Sequence, residues 1–157
     1  MNGIKIIMKI ANKNRSNIVK HYGSSEFIDD KFKSIKNSNW CKPSTGGLWT
    51  SPIDSNWSWK DFCNVEHVRT ISENNSFELI LNDDANILVI DELKDLLNAP
   101  LINNNLNFEL ISKTYDAIWL TENGQSATRW SHPCSLYGWD VETVLILNKN
   151  CFKIKKN

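Results

Sequence analysis

Hydrophobic and polar positions change period several times along the chain, and each change predicts an element. Asn17-Ile18-Val19-Lys20-His21-Tyr22 reads as a strand, and Gly23-Ser24-Ser25 stops it, because these residues favour the backbone angles and local hydrogen bonds of turns. Residues 1–17 mix short apolar groups with Asn and Lys, and read as an edge strand followed by a polar link. Phe27, Ile28, Phe32 and Ile35 recur at about helical spacing, which predicts a short amphipathic helix over 26–36. Gly46-Gly47 then turns the chain into Leu48-Trp49-Thr50-Ser51-Pro52, a strand that Pro52 must end or hold at an edge. Trp59, Phe62, Cys63 and Val65 predict a helix over 58–68, with Ser58 or Ser55 as its cap and Asp61 in its first turns.

Beyond residue 70 the period shortens. Residues 77–81 and 86–90 read as strands, and Asn82-Asp83-Asp84-Ala85 between them has the composition of a hairpin loop. Residues 91–97 predict a short helix ended near Asn98-Ala99-Pro100, and 107–115 a second one with Leu110 and Ile111 facing inward. Strands follow at 116–121 and 141–147. Strand-rich segments with short helices between them point to an α+β fold rather than a doubly wound parallel sheet. With 157 residues, no internal repeat and no long linker, one domain over 1–157 is expected.

Charge and composition narrow the classes of partner. Eighteen basic and 18 acidic side chains balance, and only Arg15, Arg69 and Arg129 are arginines, so no general nucleic-acid binding is expected. The apolar runs at 87–90 and 144–147 fall far short of the roughly 18 residues that span a bilayer, so no membrane partner is expected. Lys5 and Lys9 break the opening apolar stretch before a signal-peptide core forms. Cys41, Cys63, Cys134 and Cys151 lie far apart without a C-x-x-C pair, which fits reduced thiols in the cytoplasm rather than a disulfide framework or a metal site.

The candidate chemistry sits in three segments. Alternation along the last strand puts Asp140, Glu142, Val144 and Ile146 on one face, and Val141, Thr143, Leu145 and Leu147 on the other. Its far half is apolar on both faces, so the two carboxylates stand at the mouth of a core, where an ionised Glu is costly to desolvate without a partner. Such carboxylates belong either to a cleft or to a solvated strand end. Upstream, Gly46-Gly47-Leu48-Trp49-Thr50-Ser51 combines close backbone approach, an aromatic face and hydroxyls, although Trp49 fits a core equally well. His21-Tyr22-Gly23-Ser24 fits a binding strand or a satisfied structural histidine.

Taken in order, these segments resemble the ADP-ribosyltransferase family. His21-Tyr22-Gly23-Ser24 stands where the family has aromatic-His-Gly-Ser/Thr, and Trp49-Thr50-Ser51 where it has its nicotinamide-side aromatic and hydroxyls. Glu142 stands as the catalytic glutamate, with Asp140 two residues ahead at a position often acidic or Gln. The resemblance implies two small, mostly antiparallel sheets around a cleft with short flanking helices. It further implies NAD as co-substrate, release of nicotinamide, and transfer of ADP-ribose to a macromolecular acceptor, a protein before other classes. Glu142 and Asp140 would then be catalytic, while His21, Tyr22, Gly23, Ser24, Trp49, Thr50, Ser51 and Arg129 would bind NAD. With Gly23 aligned to the family glycine, Tyr22 rather than His21 falls on the histidine position, and a one-residue offset reverses the face of a strand. Either a bulge returns His21 to the site or Tyr22 supplies a hydroxyl there.

The implied reaction explains the residue types. Breaking the nicotinamide–ribose bond builds positive charge on the sugar, as in glycoside cleavage, and a carboxylate on a neighbouring ribose hydroxyl stabilises it. Residues 122–133 read as a loop over the cleft, with Arg129 available for a pyrophosphate or an acceptor, or stacked on Trp130 at the surface. The seven tryptophans suggest two further readings. One is a non-enzymatic interaction protein on the same fold, such as a phage inhibitor of a host factor, that binds a nucleotide or protein through a Trp-rich surface. The other, a carbohydrate-binding module, is disfavoured by the lack of the even strand spacing of a sandwich.

Overall fold

A computed structural model describes residues 14–156, so the edge strand expected within residues 1–17 lies almost wholly outside the described residues. The strands are β1 Ile18–Tyr22, β2 Leu48–Pro52, β3 Ser76–Leu81, β4 Ile87–Ile90, β5 Leu101–Ile102, β6 Asn105–Leu106, β7 Ala117–Leu120, β8 Thr143–Ile146 and β9 Phe152–Ile154. The helices are α1 Trp59–Glu66, α2 Leu93–Asn98, α3 Phe108–Ile111 and α4 Glu122–Thr128. This is an α+β fold. Seven strands run in the order β4-β7-β8-β2-β1-β3-β9, while β5 and β6 form a small hairpin apart from them. Within the seven, only β4 and β7 pair in parallel.

The two sheets implied by the family resemblance are instead halves of one sheet, because β2 serves both. Its first part pairs with β8, from Leu48↔Ile146 to Thr50↔Val144, and its last residues pair with β1, as Lys20↔Ser51 and Val19↔Pro52. Pro52 closes the strand, as its missing N–H requires. Period-two alternation then gives each face its own core. One buries Ile90, Leu120 and Leu145 under Leu96, Phe108 and Trp139; the other buries Val19, Leu79, Trp119, Val144 and Ile146. Each fully buried Leu or Ile contributes about 1.5–3 kcal/mol relative to exposure.

The strands β3 and β4 form where expected but are not a hairpin. The Asp116 carboxylate accepts from the Asn86 backbone N–H at 2.8 Å, and the Asn86 side chain donates to the Thr114 carbonyl at 2.6 Å. These bonds fix the start of β4 beside β7, at the opposite side of the sheet from β3. Residues 26–36 likewise form no amphipathic helix; only Asp29–Lys31 makes a 3₁₀ turn, and Lys36 bridges to Thr45. Phe32 packs on one core and Ile35 on the other, so their spacing reflects two destinations rather than one helical stripe.

Capping explains the helices. In α1 the Ser58 side chain accepts from the Asp61 N–H while the Asp61 carboxylate accepts from the Ser58 N–H, a capping box, and His67 ends the helix in the left-handed region at φ 53°. Helix α3 is shorter than expected and turns Leu110 outward, 48% exposed, because its buried stripe consists of Phe108 and Ile111. Residues 122–128, expected as loop, form α4: the Thr121 hydroxyl accepts from the Gly124 N–H, and a Cβ on Gly124 would stand 1.9 Å from the Ile90 carbonyl oxygen. Glycine there lets the helix lie directly on β4. All four cysteines are free and buried, and among the described residues no helix is long and apolar enough to cross a membrane.

Candidate functional site

Pairing between β1 and β2 stops at Lys20↔Ser51, and beyond it the strands part around the ring of His21. Its Nδ1–H donates to the Trp49 carbonyl at 2.8 Å, supplying the donor that the ladder no longer provides. A carbonyl cannot donate, so Nδ1 carries the proton, and in the neutral ring Nε2 presents a lone pair. Burial pushes the His21 pKa below its ordinary value, with the bond to Trp49 opposing in part. The fold thus keeps this imidazole neutral, a donor toward the backbone and an acceptor elsewhere.

The fork opens into a cavity of about 280 Å³. Its aromatic walls are Tyr22, Trp49, Trp59 and Trp139, its cations Lys20, Lys42 and Arg69, and its one carboxylate Asp140. Trp49 meets Trp139 edge-on, with centroids 4.9 Å apart, and the Trp139 indole N–H donates to the Cys41 carbonyl at 2.7 Å, so both rings are fixed before any ligand arrives. Lys20 is engaged by Glu73, whereas among the described residues neither Lys42 nor Arg69 has a carboxylate partner. A small concave site with aromatic walls, two unpaired cations and one acid suits a ligand that carries rings and negative charge.

The alternatives left by the one-residue offset resolve together: His21 and Tyr22 both line the cavity, His21 at the fork and Tyr22 beside it. Burial raises the Tyr22 pKa, so its hydroxyl stays protonated. Trp49, Thr50 and Ser51 line the cavity too, but their hydroxyls have structural duties. Thr50 donates to the Val144 carbonyl at 2.6 Å, and Ser51 accepts from the Trp59 N–H at 3.1 Å, leaving its own O–H to give. Gly23 forms the turn after β1 at φ 122°, and Ser24 donates to the Glu26 carbonyl; neither lines the cavity. Arg129 stands behind the wall, 4.0 Å from Asp140.

Glu142 departs from the arrangement its sequence position suggests. It is 5% exposed and lies on the face of Trp119 and Val144, whereas the next residue, Thr143, lines the cavity. Arg15 grips both its oxygens, at 3.0 and 2.9 Å, and the Trp119 indole N–H donates to it at 3.0 Å. Asp54 holds Arg15 from the far side at 3.1 and 3.0 Å. The Arg15 guanidinium is stabilised in its charged form by Glu142 first and then Asp54, and in return keeps the Asp54 carboxyl below its usual range. The shared face expected for Asp140 and Glu142 fails because the chain bends at Val141, ahead of β8, and Asp140 turns into the cavity.

Lys20, Lys42, Arg69 and Trp59 were not among the candidate site residues read from sequence. Arg69 carried the one usable signal, as one of only three arginines in the chain. No known protein family, characterised protein or solved structure matches the chain.

Proposed function

We propose that the cavity binds NAD and cleaves its nicotinamide–ribose bond, passing ADP-ribose to a macromolecular acceptor, with Asp140 in the role that the family resemblance gives to Glu142. The observation that carries this reading is the convergence of His21, Trp49 and Asp140 on one cavity at the fork of the sheet. Two half-sheets parting at a shared strand also suit the cleft that an ADP-ribosyltransferase needs. In this reading Trp49 offers a ring face to the nicotinamide, worth about 0.5–1.5 kcal/mol beyond area burial. His21 accepts a ribose hydroxyl at Nε2, and Lys42 and Arg69 attract the pyrophosphate. The Asp140 carboxylate stabilises positive charge on the sugar as nicotinamide leaves, and the acceptor nucleophile then bonds to the anomeric carbon and releases its proton to solvent.

Nicotinamide release from NAD by the purified protein, with and without cell lysate, tests the reading. Release that depends on lysate supports transfer, and release without lysate supports hydrolysis by the same site. Sequestration of Glu142 favours one other reading, a non-enzymatic protein that binds a nucleotide or a protein partner here. NAD bound without nicotinamide release would select it, and neither binding nor release would reject NAD as the ligand.

A further inference from the structure

The turn that carries Gly138 joins the cavity to an exposed set of rings. The Trp40 ring packs closely against it: a Cβ on Gly138 would stand 2.8 and 2.9 Å from atoms of that ring. Tyr137, the preceding residue, packs on Trp130 with ring centroids 4.7 Å apart. Trp130 is 72% exposed and Trp40 53%, far more than packing requires of side chains this costly to leave in water. Each ring is accompanied by a cation. Arg129 lies over Trp130 and Tyr137, at 5.8 and 5.2 Å from their centroids, and Lys42 lies over Trp40 at 5.4 Å. Both cations lead back to the cavity, Arg129 through its 4.0 Å approach to Asp140 and Lys42 as a lining residue.

We propose that this surface docks a short single-stranded nucleic acid, its bases stacked on Trp130 and Trp40 and its phosphates beside Arg129 and Lys42. Rings interleaved with cations match the alternating bases and phosphates of a strand. Duplex DNA hides its ring faces in the stack and does not fit. The neutral net charge of the chain is compatible with a grip on a few nucleotides, though not with coating a polymer. Docking at this place presents a base or a terminal phosphate to the cavity mouth, so in the NAD-cleaving reading, on which this consequence alone rests, the strand is the acceptor.

The test is made without NAD, so that its failure is separate from failure of the cleavage reading. Fluorescently labelled 12-nucleotide single strands of mixed sequence, one of DNA and one of RNA, are titrated with the full chain at low and physiological salt. The same DNA as a duplex and an acidic polypeptide serve as competitors. Binding of either strand is expected, weakened by salt and displaced poorly by the duplex. Trp130→Ala and Trp40→Ala should each weaken it by about tenfold, with far-UV circular dichroism unchanged. The proposal is overturned if neither strand binds, if Trp130→Ala binds as well as wild type, or if duplex or acidic polypeptide competes as well as the single strand.

Discussion

The Arg15 guanidinium closes both oxygens of Glu142 in a forked pair while Asp54 holds it from behind, so the acid that sequence order marks as catalytic serves as an anchor between the start of β8 and the segment before β1. The pair is asymmetric: the Glu142 side chain is 4% exposed and that of Arg15 29%. Losing Arg15 strands a buried carboxylate, whereas losing Glu142 leaves Arg15 with Asp54 and some water. Arg15→Ala should therefore cost about 3–5 kcal/mol and Glu142→Gln about 1–3 kcal/mol, read from urea denaturation at pH 7. Arg15 also holds the Asp54 carboxyl below its usual range, a contribution present at neutral pH and lost as pH falls through the depressed value, so the deficit of Arg15→Ala should shrink in strong acid; equal deficits at neutral pH and at about pH 2 would contradict this.

His21 predicts a second pH dependence, in a milder range. Its folded pKa lies below the unfolded value of about 6.5, so the unfolded chain binds the proton more readily. The associated stability is fully present above pH 6.5 and is lost as pH falls from there through the folded pKa. Urea midpoints measured from pH 7.5 to pH 5 should fall more steeply for wild type than for His21→Gln. Parallel slopes would show that the imidazole is not held neutral.

Gly124→Ala should destabilise the protein by about 3 kcal/mol or prevent folding, because a methyl group cannot occupy the space of the Ile90 carbonyl and α4 must lift from β4. The comparison is Gly23→Ala, whose added carbon would meet nothing closer than His21 Nε2 at 3.8 Å. Its cost should come from φ 122° alone, about 1–2 kcal/mol. Thermal melts of the two variants check the order, and a milder effect at Gly124 would contradict the close packing.

Much of the local structure was legible in the chain because its causes are local. The stop of β1 at Gly23, the Ser58–Asp61 cap of α1 and the end of α2 before Pro100 all depend on residues within a turn of one another. What could not be read depends on distant partners. Asp116 draws β4 away from β3, two cores share the apolar residues of 26–36, and α4 forms from weak helix formers because Thr121 caps it and Gly124 fits β4. At the site, His21, Tyr22, Trp49, Thr50, Ser51 and Asp140 were legible and do meet. Glu142 keeps the alternation of β8 and shares the face of Val144, but the bend at Val141 breaks the pattern and turns Asp140 into the cavity, so the two acids part.

In the proposed reaction Asp140, not Glu142, is the carboxylate acting at the cavity. The most direct measurement is nicotinamide release from NAD by Asp140→Asn beside Glu142→Gln, each rate normalised to the folded fraction. The rate of Asp140→Asn should fall by about a hundredfold or more while that of Glu142→Gln stays near wild type. Loss of turnover in Glu142→Gln with Asp140→Asn still active would contradict it.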